Sequence, residues 1–271
     1  MTESTDPTGA PPSAVELEAV VRRELARVLP DLARWSVRSG EAEEKGSPHD
    51  LVTAYDREVE QRLRSGLVEG VPGSAFVGEE AGASGLAEAN VRWHVDPIDG
   101  TGNFIAGIPF FSVSIAAEVA GEVVAAVVAD PMRDEVFAWS GGQVRLNDIP
   151  APRGSVDSPL EAVLLSNAPY EGRWATGERI TAFGEALHRF RAVRRLGSTA
   201  LELAYVAVGR ADIAAAHDVG WWDVAAGGAL VRASGGATVA DGPTASWAVR
   251  SFIATAPGLD PHDPVLTRLV T

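Results

Sequence analysis

The chain has 271 residues, enough for one large domain or two small ones with a well-filled core. Its 37 acidic and 23 basic residues give a formal net charge of −14, which argues against a general binder of nucleic acids or of polyanionic membranes. The zero cysteine count excludes disulfides, thiolate nucleophiles, cysteine-ligated zinc and iron–sulfur clusters.

The beginning of the chain predicts a tail and two helices. Residues 1–12 are polar and lack the basic and apolar segments of a signal peptide, so we expect a disordered tail and, by default, a cytoplasmic protein. Ser13 and Glu16 have the spacing of a capping box, and helical periodicity follows as far as Pro30. A second helix is expected to begin near Tyr55.

The middle of the chain has the period of strands. Its most apolar stretch, residues 104–128, is interrupted by glycine, proline and glutamate, which indicates buried strands and no membrane-spanning helix. The predicted strands are Ser74–Gly78, Val91–Val95, Phe110–Val119, Val123–Ala129, Glu135–Trp139 and Gln143–Leu146.

A proline-rich segment, residues 147–159, is the best candidate for a domain boundary. It would separate an N-terminal α+β part at 13–147 from a C-terminal α/β part at 148–271. Beyond the boundary the pattern alternates, which predicts a layered α/β second half. The predicted elements there are strands at Val163–Ser166, Ala192–Arg194, Ala211–Ala215, Ala237–Ala240 and Ser251–Ala254, and helices at Ala175–Phe190, Ser198–Val208, Val224–Ser234 and Pro264–Val270.

Two aspartates, Asp96 and Asp99, end an apolar run with a proline between them. This geometry can direct both carboxylates and the Ile98 carbonyl to one point, an all-oxygen arrangement that Mg²⁺ prefers. The amides of Gly100 and Thr101, at the start of a short helix, could bind a phosphate. The pattern fits equally a strand exit with two solvated aspartates.

Three other segments carry carboxylates that could take part in chemistry. Glu79 and Glu80 follow a strand and a glycine, and alone they would be a solvated turn. Asp223 has the position of an N-cap for the helix that follows it, and it could also hold a cation there. Asp50 begins a segment that ends at Asp56, and Asp56 could simply cap the second helix.

Together the four segments resemble the inositol monophosphatase family of Mg²⁺-dependent, Li⁺-sensitive phosphatases. Residues 50–56 follow the family's Asp-x-Val-Thr-x-x-Asp pattern, 78–80 are Gly-Glu-Glu, 96–101 are Asp-Pro-Ile-Asp-Gly-Thr, and 222–227 are Trp-Asp-x-Ala-Ala-Gly. The resemblance extends from Ser13 to the C-terminus. It implies an α/β (α+β) fold, the layered αβαβα sugar-phosphatase fold, in a homodimer.

The resemblance also implies two or three Mg²⁺ ions per site and a role for each matching residue. The implied metal ligands are Glu79, Asp96, Ile98 through its carbonyl, Asp99 and Asp223. A metal-activated water would attack phosphorus in line, and the implied catalytic residues that orient it or support its proton network are Glu79, Thr101, Asp50 and Thr53. The implied substrate-binding residues are Asp99, Gly100, Thr101, Ser198, Thr199 and His217.

One departure from the family pattern concerns the substrate. Inositol-preferring members have an acidic residue seven positions before the Trp-Asp aspartate, where it contacts substrate hydroxyls, and this chain has Ala216. A methyl group accepts no hydrogen bond, although His217 or Asp218 could compensate from a neighbouring position. The substrate is therefore either an inositol-1-phosphate-like polyol or sugar phosphate, or the phosphate of another relative, such as histidinol phosphate or a 3′(2′),5′-bisphosphate nucleotide.

The leading hypothesis is thus a metal-dependent phosphoric monoester hydrolase of EC class 3.1.3, with a small phosphomonoester as its only expected partner besides a second copy of the chain. Neither a nucleic acid nor a membrane is expected to bind. A hypothesis from another class is a non-catalytic regulatory protein that keeps the fold, since some relatives are tied to transcription and RNA processing. A sugar-phosphate binder with negligible turnover is a third.

Overall fold

The structure is a computed structural model that describes residues 10–34, 43–44, 51–152, 154–169, 177–241 and 247–271. Most of the predicted tail and Asp50 lie outside the described residues. No helix in this part of the chain combines the length and the hydropathy that a bilayer crossing requires.

Capping residues and apolar periodicity account for the helices at the start of the chain. Ser13 is the N-cap of the first helix and forms the expected capping box with Glu16. Pro30 lies inside the last turn, and the helix continues to Leu32. Within the described residues the helices are α1 (Ala14–Leu32), α2 (Ala54–Gly70), α3 (Thr101–Ala106), α4 (Gly177–Arg189), α5 (Thr199–Ala207), α6 (Trp221–Ala233) and α7 (Pro264–Val270).

The described strands form two large sheets and one small pair. The small pair joins β1 (Glu43–Glu44) and β2 (Leu51–Val52). The first sheet has the order β10-β9-β8-β7-β6-β5-β3-β4, with β3 (Ala75–Gly78), β4 (Gly82–Ser84), β5 (Arg92–Asp99), β6 (Ser112–Val119), β7 (Glu122–Asp130), β8 (Glu135–Trp139), β9 (Arg145–Leu146) and β10 (Ile149–Pro150). The second has the order β12-β11-β13-β15-β14, with β11 (Val163–Ser166), β12 (Ala192–Arg194), β13 (Ile213–Gly220), β14 (Ala237–Ala240) and β15 (Ala248–Thr255).

Three apolar clusters stack these elements into five layers. The first cluster lies between α1, α2 and one face of the first sheet, where Trp93, Val95 and Ile115 are fully buried. The second lies between the other face of that sheet and the second sheet, and α5 and α6 fill it. The third packs α4 and α7 on the outer face of the second sheet. The layer order is therefore helices, sheet, helices, sheet, helices, and the predicted αβαβα fold is confirmed.

The boundary between β13 and α6 differs from the sequence-based expectation, which ended the strand at Ala215 and began the helix at Val224. In the structure β13 continues to pair with β15 as far as Gly220, with an interruption at Asp218, and this pairing extends the strand. The helix then begins directly at Trp221. As a result α6 starts close to the first sheet, with its N-terminal turn beside the end of β5.

Candidate active site

Strand β5 presents its polar side chains to the inner helix layer. Trp93 and Val95 belong to the cluster under α1 and α2, so alternation along the strand turns His94 and Asp96 toward α6. Beyond Asp96 the pairing with β6 is irregular before it resumes at Asp99. This irregularity allows the second aspartate to approach the same region, as the spacing of the two residues predicted.

Asp223 reaches the site from the first turn of α6. Gly220 is the N-cap of α6, so the interpretation of Asp223 as the N-cap is wrong. Asp223 occupies the third helical position, where its Oδ2 accepts a hydrogen bond from the Gly220 amide at 2.8 Å. The Ser114 hydroxyl of β6 donates to the Trp222 carbonyl at 2.9 Å and ties the helix start to the first sheet.

Asp96, Asp99 and Asp223 form a tight carboxylate cluster. One oxygen of each lies within 4.8 Å of the others, and the side chains of Asp96 and Asp99 are buried. Burial, followed by the charges of Glu79, Asp99 and Asp223, raises the pKa of Asp96 well above its usual range. Burial also raises the pKa of Asp223 well above its usual range, again with contributions from Glu79 and Asp99. Oxygen ligands in this arrangement suit a hard divalent cation, which would neutralise the mutual repulsion.

Asp99 has more hydrogen-bond donors than the other two aspartates. It accepts hydrogen bonds from the Ser198 hydroxyl and from the amides of Thr199, at 3.1 Å, and Ala200, at 2.8 Å. These donors are the first groups of α5. Burial raises the pKa of Asp99 to about 6, and the donors oppose a larger rise.

The loop before α5 is held from both sides. Glu202, on α5, is buried, and its Oε1 accepts hydrogen bonds from the Leu196 and Gly197 amides at 3.0 and 3.2 Å. Asn103 donates to the Leu196 carbonyl at 2.7 Å. Burial raises the pKa of Glu202 to about 8. Gly100 has φ +95° and approaches this loop so closely that a Cβ would lie 2.8 Å from the Gly197 carbonyl oxygen.

A second polar network connects α2 to the end of β5. The Thr101 hydroxyl lies 2.9 Å from Asp56 Oδ1 and 3.0 Å from the Ile98 carbonyl. The N-cap of α2 is Thr53, not Asp56; Asp56 accepts from the Thr53 amide at 2.7 Å and from its hydroxyl. Asp56 is fully buried, and burial raises its pKa. Asp56 was not among the site residues predicted from the sequence. Its place at the end of the Asp-x-Val-Thr-x-x-Asp segment was the available signal.

Glu79 follows β3 in a turn beside the cluster. Its charge acts on all three clustered aspartates. Its amide donates to the Val95 carbonyl at 3.3 Å, which ties this turn to β5 immediately before Asp96. Glu79 and the Ile98 carbonyl are thus brought to the same edge of the first sheet as the aspartates.

Three of the predicted substrate contacts have other surroundings. The donors of Ser198 and Thr199 bind Asp99. His217 lies on the face of β13 opposite Ala216, because neighbouring strand residues alternate, and this face packs on α4 and α7. Burial and the charge of Arg179 on α4 lower the pKa of His217 to about 4. The structure therefore does not bring His217 to the carboxylates.

Ala216 is buried on the inner face of β13, the face that meets α5 and α6. Its neighbour across the strand pair is Phe252. An apolar methyl group thus stands at the position where the family resemblance predicts an acidic residue.

Comparisons with known proteins agree with this geometry. The family model described as the inositol monophosphatase family matches residues 15–267. An inositol-1-monophosphatase of Rhizobium meliloti (strain 1021) is 40% identical over 190 residues, 70% of this chain and 71% of the relative. The Nus factor SuhB of Escherichia coli (strain K12) is 38% identical over 198 residues, 72% of this chain and 73% of the relative.

Solved structures match over nearly the whole chain. The extragenic suppressor protein suhB from Bartonella henselae has a TM-score of 0.82 at 28% identity and covers 93% of this chain and 98% of its own. An inositol monophosphatase from Anabaena (Nostoc) sp. PCC 7120 has a TM-score of 0.74 at 26% identity and covers 93% and 94%. The predicted fold and the predicted enzyme class, a phosphoric monoester hydrolase, are confirmed. The chain belongs to the inositol monophosphatase family.

Proposed function

We propose that the protein is a Mg²⁺-dependent phosphomonoesterase that hydrolyses a small polyol or sugar-type phosphate resembling inositol 1-phosphate. The observation that carries this proposal is the cluster of Asp96, Asp99 and Asp223, whose oxygens lie within 4.8 Å of one another at the junction of two sheets. The relatives named inositol-1-monophosphatase support the same substrate class.

The residues that would hold the metal are Glu79, Asp96, Ile98 through its carbonyl, Asp99 and Asp223. Their oxygen ligands fit Mg²⁺, and the raised pKa values of Asp96 and Asp223 support a site that a cation would stabilise. When bound, Mg²⁺ would neutralise phosphate charge and lower the pKa of a water molecule.

Thr101 and Asp56 are the residues proposed to handle the proton of the attacking water. The Thr101 hydroxyl has one proton and lies within hydrogen-bond distance of two acceptors, Asp56 Oδ1 and the Ile98 carbonyl. When it donates to Asp56, its own oxygen can accept a proton from a water. Thr53 donates its hydroxyl and amide to the other oxygen of Asp56 and thereby fixes the orientation of this carboxylate.

The amides of Gly100 and Thr101 are proposed to bind the phosphate of the substrate. Both stand at the start of α3, next to Asp99, where free amide groups favour an anion. Phosphoryl transfer depends mainly on positioning and on charge neutralisation, so donors fixed at the end of β5 suit the reaction.

The choice of substrate depends on Ala216. Because its methyl group accepts no hydrogen bond, one contact to a polyol hydroxyl is absent at this position. Histidinol phosphate and a 3′(2′),5′-bisphosphate nucleotide are therefore the alternative substrates. A comparison of kcat/KM for these two with that for inositol 1-phosphate and a sugar bisphosphate distinguishes them.

Phosphate release from this panel, with Mg²⁺ or with EDTA, tests the proposal. We expect release with Mg²⁺ and none with EDTA, and a loss of turnover in Asp96→Asn. A matched control is Asp130→Asn, because Asp130 is equally buried but ends β7 and pairs with Arg133. Absence of release from every substrate at millimolar Mg²⁺ would falsify the proposal.

A regulatory role is the second candidate function. The observation that favours it is the 38% identity with a relative named Nus factor SuhB. Affinity capture from a cell extract with wild type and with Asp96→Asn compares the two candidates. A specific partner retained by an Asp96→Asn protein that releases no phosphate would favour regulation through the fold.

The proposed assembly is a homodimer, which rests on the family resemblance. Sedimentation velocity of the purified chain at several concentrations tests it directly. A single species with a mass near 28.4 kDa at all concentrations would contradict the dimer.

A further inference from the structure

Glu60 is a buried carboxylate for which the proposed chemistry has no role. It lies on α2 one helical turn after Asp56, and its side chain is 2% exposed. Its Oε2 accepts a hydrogen bond from the Glu80 amide at 2.8 Å, and its Oε1 accepts one from the Ala81 amide at 2.7 Å. Both donors belong to the turn that begins with Glu79. A buried charge requires such donors, and here a single turn supplies both.

Gly78 provides the space for this contact. A Cβ at this position would lie 2.3 Å from Glu60 Oε2, so any larger residue would displace the carboxylate. Gly78 pairs with Gly82 across β3 and β4, which makes residues 79–81 the connection of a tight hairpin. A glycine is therefore required at position 78, because the Glu60 carboxylate occupies the space that a side chain there would fill.

The backbone around Glu79 is consequently fixed on both sides. Its own amide donates to the Val95 carbonyl at 3.3 Å, and the two amides that follow donate to Glu60. Glu79 is the residue of this turn whose charge acts on Asp96 and on the other clustered aspartates. The direction of its side chain depends on the conformation of the turn.

We propose that Glu60 is a positioning residue that holds the turn of Glu79 so that the Glu79 carboxylate faces the cluster. Asp56 and Glu60 are four residues apart and therefore lie on one face of α2. Asp56 binds Thr101, and Glu60 binds the Glu79 turn, so a single rigid helix sets the relative position of two site segments. The inference rests on the proposed function, because Glu79 acts as a ligand only where the site binds a cation.

Two substitutions test the role in graded steps. Glu60→Gln keeps one acceptor oxygen but turns an NH₂ group toward the second amide, whereas Glu60→Ala removes both acceptors. We expect faster hydrogen exchange at the Glu80 and Ala81 amides of the metal-free protein, in the order wild type, Gln, Ala. We also expect Mg²⁺ affinity, measured by calorimetry with Mg²⁺ alone, to fall by about 10- to 100-fold, the usual effect of losing a residue that orients a metal ligand.

A matched control separates positioning from general stability. Glu24 on α1 is also 2% exposed, and it pairs with Arg23 and Arg27, away from the cluster. Glu24→Gln is expected to lower the melting temperature while leaving Mg²⁺ affinity and exchange at residues 80 and 81 unchanged. An equal loss of Mg²⁺ affinity in Glu24→Gln would overturn the proposal.

The remaining outcomes are equally decisive. Wild-type exchange and wild-type Mg²⁺ affinity in folded Glu60→Gln would overturn the proposal. Should Glu60→Ala fail to fold, Glu60→Gln alone gives the test. A wild-type protein that binds Mg²⁺ but releases no phosphate contradicts the proposed function alone, because the exchange and binding measurements do not depend on turnover.

Discussion

Asp96 and Asp99 lie three residues apart on β5, but the protein surrounds their carboxylates differently. Asp99 accepts hydrogen bonds from one hydroxyl and two amides at the start of α5 and from the Ser112 hydroxyl of β6, and its pKa rises only to about 6. Asp96 accepts a hydrogen bond from the Ile98 amide and faces Asp223. Asp223 in turn accepts a hydrogen bond from the Gly220 amide. The pKa values of both Asp96 and Asp223 rise well above the usual range.

The difference shows two ways of placing a carboxylate inside a protein. The dipoles at the start of α5 stabilise the charge of Asp99 without help from solvent. The facing pair of Asp96 and Asp223 depends on a proton or a cation, because two carboxylates in contact repel each other and Asp96 is buried. The pair should therefore respond most strongly to substitution and to metal, whereas Asp99 should respond to changes in α5.

The largest effect is expected for Asp223→Asn, which removes one of the two facing carboxylates. The asparagine can still accept from the Gly220 amide, but it removes one negative charge from the site. We expect kcat/KM to fall by about two orders of magnitude or more, since a bound metal contributes several kcal/mol to transition-state stabilisation. Because repulsion with Asp96 disappears, the melting temperature in EDTA at neutral pH should rise.

Asp263→Asn is the control for Asp223→Asn. Like Asp223, Asp263 accepts a hydrogen bond from a backbone amide at the start of a helix, here from the Val265 amide at 2.9 Å, and it lies at the N-cap of α7 on the outer face of the second sheet. It should lose its ion pair with Arg189 and melt earlier, with kcat/KM unchanged. Wild-type turnover in Asp223→Asn would refute the assignment of Asp223 as a ligand.

The sequence predicted the parts of the site whose geometry is local. The spacing of Asp96 and Asp99 at the end of an apolar strand placed both at one edge of the first sheet. The Ser13 capping box and the hairpin at residues 112–130 were also predictable, because their signals lie within a few residues of each other. The layer order came from the family resemblance, which no periodicity in the chain would have supplied.

The remaining features depend on contacts between distant segments. Asp56 has an ordinary place at the start of a helix, and only folding brings it to Thr101, 45 residues away in the chain. Glu202 sits in an apolar helix, where no pattern indicates that it binds the loop before α5. The predicted strand ended at Ala215, so only the pairing of β13 with β15 as far as Gly220 shows that His217 points away from the face of Ala216.

Ser198→Ala makes the surroundings of Asp99 more like those of Asp96. The substitution removes the Ser198 hydroxyl, while the amides of Thr199 and Ala200 and the Ser112 hydroxyl, at 3.4 Å, remain as donors to Asp99, so the pKa of Asp99 should rise above about 6. Mg²⁺ binds the deprotonated carboxylate, and its affinity should fall more at pH 6 than at pH 8. A hydrogen bond to a charged group contributes about 1.5–3 kcal/mol, which gives a decrease of about one to two orders of magnitude.

The measurement for Ser198→Ala is Mg²⁺ affinity by calorimetry at the two pH values. Ser166→Ala is the control, because the Ser166 hydroxyl is equally buried but donates to the Ala215 carbonyl in the second sheet. Identical Mg²⁺ affinities of Ser198→Ala and wild type at pH 6 would argue that the donors at α5 do not control Asp99.

Glu202→Gln tests the loop that supplies those donors. The glutamine oxygen can still accept from Leu196 and Gly197, but the group no longer titrates. In wild type the unfolded chain loses this proton near the ordinary value of 4.5, whereas the folded protein keeps it until about pH 8. The contribution of Glu202 to stability is therefore full below pH 4.5 and declines as the pH rises to about 8.

The test is the melting temperature of both proteins in EDTA from pH 5 to pH 8. Relative to Glu202→Gln, wild type should lose several degrees over this range, since about 1 kcal/mol corresponds to about 2–4 °C for a domain of this size. Parallel curves would show that Glu202 keeps its ordinary pKa in the folded protein.

The smallest expected effect lies on the opposite face of the second sheet, in His217→Gln. Burial and the charge of Arg179 lower the pKa of His217 from 6.5 to about 4. Between these two pH values the His217 ring is protonated in the unfolded chain and neutral in the folded protein. Stability from this group is full above pH 6.5 and is lost as the pH falls to about 4, the reverse of the Glu202 dependence. The variant should lose less stability than wild type between pH 7 and pH 5, by a few degrees in thermal melts. Equal losses in both proteins would place the His217 ring in contact with solvent or with an acidic partner, which would reopen its assignment as a substrate contact.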